Sequence, residues 1–207
     1  MKVEMGLKYL LCAFLAIGAP AAMADEFCDD VKAVLAAGDE RPAPYDSYVA
    51  PEKKLYNGKL ASFAPAKAVR GLPASGQCTR YLAGVAEALV GGGTHNYIEC
   101  PLGSGRDVEG ADGDAASKAL KATRTAVIAQ IGSCLGPSGW TGGKIEKSSG
   151  GRLFHERATM KPVDDSVDIV LDMDGRGTRQ PSGGFSTSYI LTLKIRTPTL
   201  FATVKPQ

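Results

Sequence analysis

The stretch SVDIVLDMDGRGTRQPSGGFSTSYILTLKIR, residues 166–196, decides the fold class. Its first part alternates Val167, Ile169, Leu171 and Met173 with Ser166, Asp168 and Asp172. Its last part alternates Tyr189, Leu191, Leu193 and Ile195 with Ser188, Thr192, Lys194 and Arg196. This two-residue period predicts two strands with one buried and one solvent-exposed face, as in an antiparallel sheet that is covered on one side only.

Residues 174–186 join these two strands, and this connection is longer than the roughly 2 to 5 residues of most hairpin loops. Its four glycines favour a mobile loop, and Arg176 and Arg179 carry guanidinium groups that suit carboxylates or phosphates. We therefore expect this loop to bind a partner, with the two arginines as polar anchors. The alternative is a solvent loop without a function.

Residues 115–135 carry the clearest helical pattern of the chain. Apolar residues recur there at steps of three, four and seven, namely Ala116, Leu120, Val127, Ile131 and Leu135. Gly136 and Pro137 end the helix. Lys118, Lys121 and Arg124 lie on its other sides, where they predict a solvated face rather than an anion site.

The remaining segments complete an α+β domain. A short helix is expected over residues 26–37, a proline-rich extended arm over 39–76, a hairpin over 78–102 that turns at 91–93, and a strand over 153–160. The glycine-rich residues 103–114 predict a polar loop that ends in a helix cap at Asp112 or Asp114. Together these elements predict an antiparallel sheet of about five strands, with the long helix packed across it and a short N-terminal helix.

The N-terminal residues 1–24 have the three-part plan of a secretory signal peptide. Lys2 and Lys8 precede an apolar run, which Pro20 interrupts before the sequence Ala-Met-Ala at 22–24. Their removal leaves 22 basic and 21 acidic residues, a net charge of +1. This balance does not favour binding to nucleic acid, and no later segment is apolar enough for membrane insertion. The expected units are therefore the signal peptide at 1–24, the helix and arm at 25–76, and the α+β domain at 77–207, in one globular body.

Four cysteines remain in the exported chain: Cys28, Cys78, Cys100 and Cys134. An even number in an exported protein predicts two disulfides, and their wide spacing does not match a metal site. A tight hairpin turn at 91–93 would place Cys78 at least two residues from the position that faces Cys100. We therefore expect the pairs Cys100–Cys134 and Cys28–Cys78.

Motifs for catalysis are incomplete. The sequence HERAT at 155–159 lacks the second histidine of a zinc protease, and GPSGW at 136–140 lacks the last glycine of a nucleophile elbow. Asp172, Asp174 and Gly175 form only a fragment of a calcium loop, and Gly175 is read as the start of a turn. No metal and no cofactor is therefore expected.

These observations favour a periplasmic or secreted, disulfide-stabilised protein that binds another protein of the envelope or outside the cell. An inhibitor or an immunity-type factor is one class of this kind. The alternative is a small envelope hydrolase that uses carboxylates, such as the pair Asp164 and Asp165, whose positions the sequence does not reveal.

Overall fold

A computed structural model describes residues 21–41, 43–56, 59–72, 76–83, 95–109, 114–136, 140–150, 153–162, 167–181 and 183–198. The two helices are α1 (Ala21–Ala37) and α2 (Ala115–Leu135). The strands are β1 (Leu55–Tyr56), β2 (Lys59–Leu60), β3 (Phe63–Ala66), β4 (Cys78–Tyr81), β5 (His95–Val108), β6 (Trp140–Gly150), β7 (Leu153–Pro162), β8 (Asp168–Arg179) and β9 (Phe185–Pro198). Most of the predicted signal peptide and the predicted hairpin turn at 91–93 lie outside the described residues.

The main sheet is antiparallel and has seven strands in the order β3-β4-β5-β9-β8-β7-β6. This confirms the α+β class and the antiparallel sheet, but the expected number of about five strands is wrong. The two strands that the sequence did not reveal are the edges β3 and β6. Pro65 breaks the pattern of β3, which is tolerated because edge strands can hold proline. β6 contains a glycine pair at 142–143, where its register with β7 shifts.

Helix α2 has the predicted bounds and packs on one face of the sheet. Leu120, Val127 and Ile131 are buried in the core that lies between them. Two glycines of β5 allow the close approach. A Cβ atom at Gly103 would lie 2.9 Å from Cδ2 of Leu120, and one at Gly105 would lie 2.8 Å from Cβ of Ala116.

The prediction of a solvated cationic face on α2 is wrong for Arg124. Its side chain is only 3% exposed, and its Nη1 lies 2.7 Å from Oε2 of Glu156 in β7. Glu156 also pairs with Lys121 and Lys147, which remain partly exposed. Burial acts to raise the pKa of Glu156, but the adjacent charge of Arg124 and those of the nearby lysines outweigh this and lower it.

The predicted loop at 103–114 is wrong for its first half, because β5 continues to Val108. The strand is held by pairing with β9, which runs alongside it up to Ser186. Asp114 occupies the N-cap position of α2 without a side-chain cap bond, and Asp112 lies outside the described residues. Asp107 takes the capping role instead, because its carboxylate accepts hydrogen bonds from the backbone N–H groups of Ala116 at 2.8 Å and Ser117 at 3.2 Å.

Helix α1 and the arm that follows it lie on the same side of the sheet as α2. Phe27, Val31 and Val34 of α1 join the core at the spacing that the sequence indicated. The arm contains the short β1–β2 hairpin, and then contributes β3 to the edge of the sheet. Tyr45 anchors the arm, because its side chain is fully buried and its hydroxyl donates to the carbonyl oxygen of Ile195 at 3.0 Å.

The four cysteines form two disulfides, but the predicted pairing is wrong. Cys78 pairs with Cys100, and Cys28 pairs with Cys134. Thr79 faces Glu99 in the β4–β5 ladder, so Cys78 stands directly opposite Cys100 with a Cα–Cα distance of 4.2 Å. The prediction failed because it assumed a tight turn at 91–93, and this places the register at least two residues away. The second disulfide joins α1 to the end of α2.

Candidate functional site

One face of the seven-stranded sheet carries the two helices, and we call the opposite one the open face. No helix among the described residues covers it. Cross-strand register places its side chains in rows, because directly opposed residues point to the same side. One row, for example, contains Ser104, Ile190, Asp174, His155 and Ser148.

Most charged groups of the open face are paired across strands. Arg196 of β9 holds Asp168 of β8, with 2.6 Å between Nε and Oδ1. Lys194 lies 3.3 Å from both Glu99 on one side and Asp172 on the other. The middle of this face is therefore a neutral network of alternating charges.

Asp172 is the centre of that network and is only 2% exposed. Arg157 donates to both of its carboxylate oxygens, at 2.7 Å from Nε and 3.2 Å from Nη2. Burial acts to raise the pKa of Asp172, but the bonds to Arg157 and the charge of Lys194 outweigh it and lower the pKa. The carboxylate is thus held in its ionised form as a structural group.

His155 lies next to this network, in the strand that the sequence predicted over residues 153–160. Its Nδ1 is 2.7 Å from Oδ1 of Asp174, and its Nε2 is 3.6 Å from Oδ1 of Asp172. Ser148 stands directly opposite His155 on the other side, in β6. Both ring nitrogens therefore lie close to carboxylates of β8, an arrangement that does not favour a nucleophilic Ser148 activated by this histidine.

Next to His155 the open face forms a groove of about 670 Å³. Its lining includes Ser148, Leu153, His155, Asp174, Arg176 and Ile190. Leu153 and Ile190 are 62% and 53% exposed, and they are the most exposed large apolar side chains of this lining. Exposed apolar side chains grouped around a groove are typical of an interaction surface.

The loop predicted at residues 174–186 is wrong. β8 continues to Arg179 and β9 begins at Phe185, so only residues 180–184 form the connection. Asp174 and Gly175 are strand residues and not the start of a turn. The strands extend because residues 174–176 of β8 pair with β7 on one side and with β9 on the other.

This extension separates the two predicted anchors. Side chains alternate between the faces of a strand, so residues three positions apart point to opposite sides. Arg176 lies on the open face and lines the groove, whereas Arg179 belongs to the face that carries the helices. The two arginines therefore do not converge on one ligand group.

Arg106 of β5 joins Arg176 at this end of the open face. Both residues stand directly opposite Ser188 of β9, one on each side of it. Neither guanidinium has an ion pair with a described residue, and Arg106 instead donates to the hydroxyl of Ser186 at 2.8 Å. The groove end of the face therefore carries positive charge that the protein does not neutralise with a described carboxylate.

Sequence reasoning missed Leu153, Ile190 and Arg106 as site residues. A signal for Ile190 was present, because it is the apolar exception in the outward-facing series of β9. Arg106 could not be found, since the segment around it was read as a loop. Leu153 opens the strand β7, and only the register with β8 places it opposite Arg176.

The described residues contain no cluster of three or more His, Cys, Asp or Glu side chains that could hold a metal. Within the same part of the chain, no helix combines the length and the apolar character needed to cross a membrane. The described carboxyl groups with clearly shifted pKa values all have lowered ones, namely Asp30, Asp114, Glu156 and Asp172. A general acid needs the opposite shift.

The chain matches no protein-family model, no curated protein and no solved structure.

Proposed function

We propose that this protein is an exported, disulfide-stabilised binding protein, and that it binds another protein of the envelope or the extracellular medium through the groove on its open face. The observation that carries the proposal is the contrast within that face. Its middle is a neutral network of paired charges, whereas the groove end has exposed Leu153 and Ile190 beside the unneutralised Arg106 and Arg176.

The chemistry of the groove selects the kind of partner. An apolar side chain of the partner would bury the exposed surface of Leu153 and Ile190, and this burial would contribute favourable binding free energy. Arg176 and Arg106 favour a nearby carboxylate, since guanidinium groups bind carboxylates with charge-assisted hydrogen bonds. The proposed partner segment therefore combines an acidic side chain with an apolar one. An inhibitor or an immunity-type factor would recognise its target in this way.

Export is supported by the residues at 1–24 and by the disulfides. The disulfides Cys28–Cys134 and Cys78–Cys100 use all four cysteines outside the proposed signal peptide, and such bonds persist in oxidising compartments such as the periplasm. The hydrolase alternative is not proposed. Its pair Asp164 and Asp165 lies outside the described residues, and the described carboxyl groups with clearly shifted pKa values have lowered ones.

Photo-crosslinking in intact cells tests the binding site. A photoreactive residue at position 190 should give a discrete cross-linked product, and one at Ala129, on the exposed side of α2, should not. Arg176→Ala should reduce the yield at position 190 by tenfold or more if the contact contributes about 1.4 kcal/mol.

Arg179→Ala is the matched control, because it removes the same charge from the other face of the same strand. It should leave the yield unchanged. Equal cross-linking from positions 190 and 129 would refute the groove as the site. Equal losses from the two arginine variants would show that charge near the hairpin matters without regard to the face.

A further inference from the structure

The strand β6 is an open edge of the sheet. Among the described residues it pairs with β7 alone, although it is 11 residues long and contains no proline. The opposite edge, β3, has only four residues, includes Pro65, and is bridged by Val49 at Ala66. A long edge with unpaired backbone groups is a template for another strand.

We propose that β6 pairs with β6 of a second copy of the chain, in an antiparallel ladder centred on Ile145. A two-fold axis perpendicular to the sheet keeps the helices of both copies on the same side and joins the two sheets into one. Residues that face each other across this axis then have numbers with an even sum. Ile145 is the midpoint of Trp140–Gly150, and the regular pairing of β6 with β7 resumes at this residue after a register shift between Gly142 and Ile145.

The charges of β6 select this centre. Lys144 then faces Glu146 of the second copy, and Glu146 faces Lys144 of the second copy, which gives two ion pairs on the open face. Neither residue has an ion pair with a described residue of its own chain, and both are exposed. On the helix side Ile145, which is 37% exposed, meets Ile145 of the second copy.

Other registers of the same symmetry are less favourable. Centres at 144, 146 or 147 place Lys144, Glu146 or Lys147 opposite itself, and like charges directly opposite each other destabilise a sheet. Centres at 143 or 148 bring no opposite charges together. Lysine on an edge strand usually prevents pairing, but opposite a glutamate it permits one register and disfavours the rest.

Charge reversal tests this dimer. Sedimentation equilibrium of the purified, oxidised protein should show a dimer for the wild type. Lys144→Glu and Glu146→Lys should each raise its dissociation constant at least tenfold, because both ion pairs become repulsions. Lys32→Glu and Glu52→Lys make the same changes of net charge at exposed positions away from β6, and they should leave the constant unchanged.

Rescue separates specific pairing from a general effect of charge. The double variant K144E/E146K should recover the wild-type constant, since it exchanges the two charges. An equimolar mixture of the single variants K144E and E146K should form a mixed dimer, because each introduced charge then faces an opposite one. Circular dichroism confirms that each variant is folded.

A wild-type protein that remains monomeric in sedimentation equilibrium would overturn the proposal. The open edge of β6 would then be available to a strand of another protein. A dimer that is insensitive to both single reversals would overturn it as well. Positions 144 and 146 do not line the groove, although Ser148, Ser149 and Gly150 of the same strand do, so these charge reversals test the dimer without changing a groove residue.

Discussion

Replacing Glu156 by methionine should destabilise this protein more than replacing its partner Arg124 by methionine. Both side chains are at most 3% exposed, and 2.7 Å separates their charged atoms. Arg124 has no other carboxylate partner among the described residues. Glu156 by contrast keeps Lys147 at 3.4 Å and Lys121 at 3.8 Å when Arg124 is removed.

The expected magnitudes follow from these contacts. E156M leaves a buried guanidinium without a countercharge, and breaking a buried pair in this way costs about 3–5 kcal/mol of unfolding free energy. R124M leaves a carboxylate that two partly exposed lysines still neutralise, so its expected cost is about 1–3 kcal/mol. The double variant R124M/E156M should lie within about 1 kcal/mol of the wild type, because apolar residues of similar volume often replace a buried pair without loss.

Urea unfolding at pH 7, with both disulfides intact and with circular dichroism as the signal, measures these differences. Thermal unfolding of the same variants gives a second measure. For a chain of this length each kcal/mol shifts Tm by about 2–4 °C, so the Tm of E156M should lie roughly 6–20 °C below that of the wild type. A cost for R124M equal to or above that for E156M would refute the reasoning. So would a double variant as unstable as E156M.

Two further predictions concern the disulfides and acid. Serine in place of Cys28 and Cys134 should cost about 1 kcal/mol more unfolding free energy than serine in place of Cys78 and Cys100, because the first disulfide closes the longer segment; denaturant unfolding of the two variants decides this. The lowered pKa of Asp172 means that its stabilisation is complete above the ordinary carboxyl pKa near 4 and is lost as the pH falls through its lower folded value. The unfolding free energy of Asp172→Asn should therefore fall less steeply than that of the wild type between about pH 4 and pH 2. The exposed control Asp29→Asn should keep the wild-type slope. A wild-type slope for Asp172→Asn, or an equally reduced slope for Asp29→Asn, would contradict this.

The strand conformation of residues 174–179, and with it the position of Arg176, could not be predicted from the local sequence. This segment is polar and rich in glycine, which by itself indicates a loop. It is a strand because β7 and β9 offer backbone partners on its two sides, and because Gly175 lies under the rings of Phe154 and Tyr189, where a Cβ atom would be 2.9 Å from Cδ1 of Tyr189. The position of Arg176 on the open face follows from that pairing.

Sequence alone determined the features that depend on a local period. The alternation in β8 and β9 and the helical spacing in α2 identified the antiparallel α+β class and the long helix with its bounds, since burial of one face imposes these patterns. The number of cysteines likewise predicted two disulfides. Tertiary structure alone decided the disulfide pairing, the edge strands, the burial of Arg124 and the groove, because each depends on which strands lie side by side and in what register.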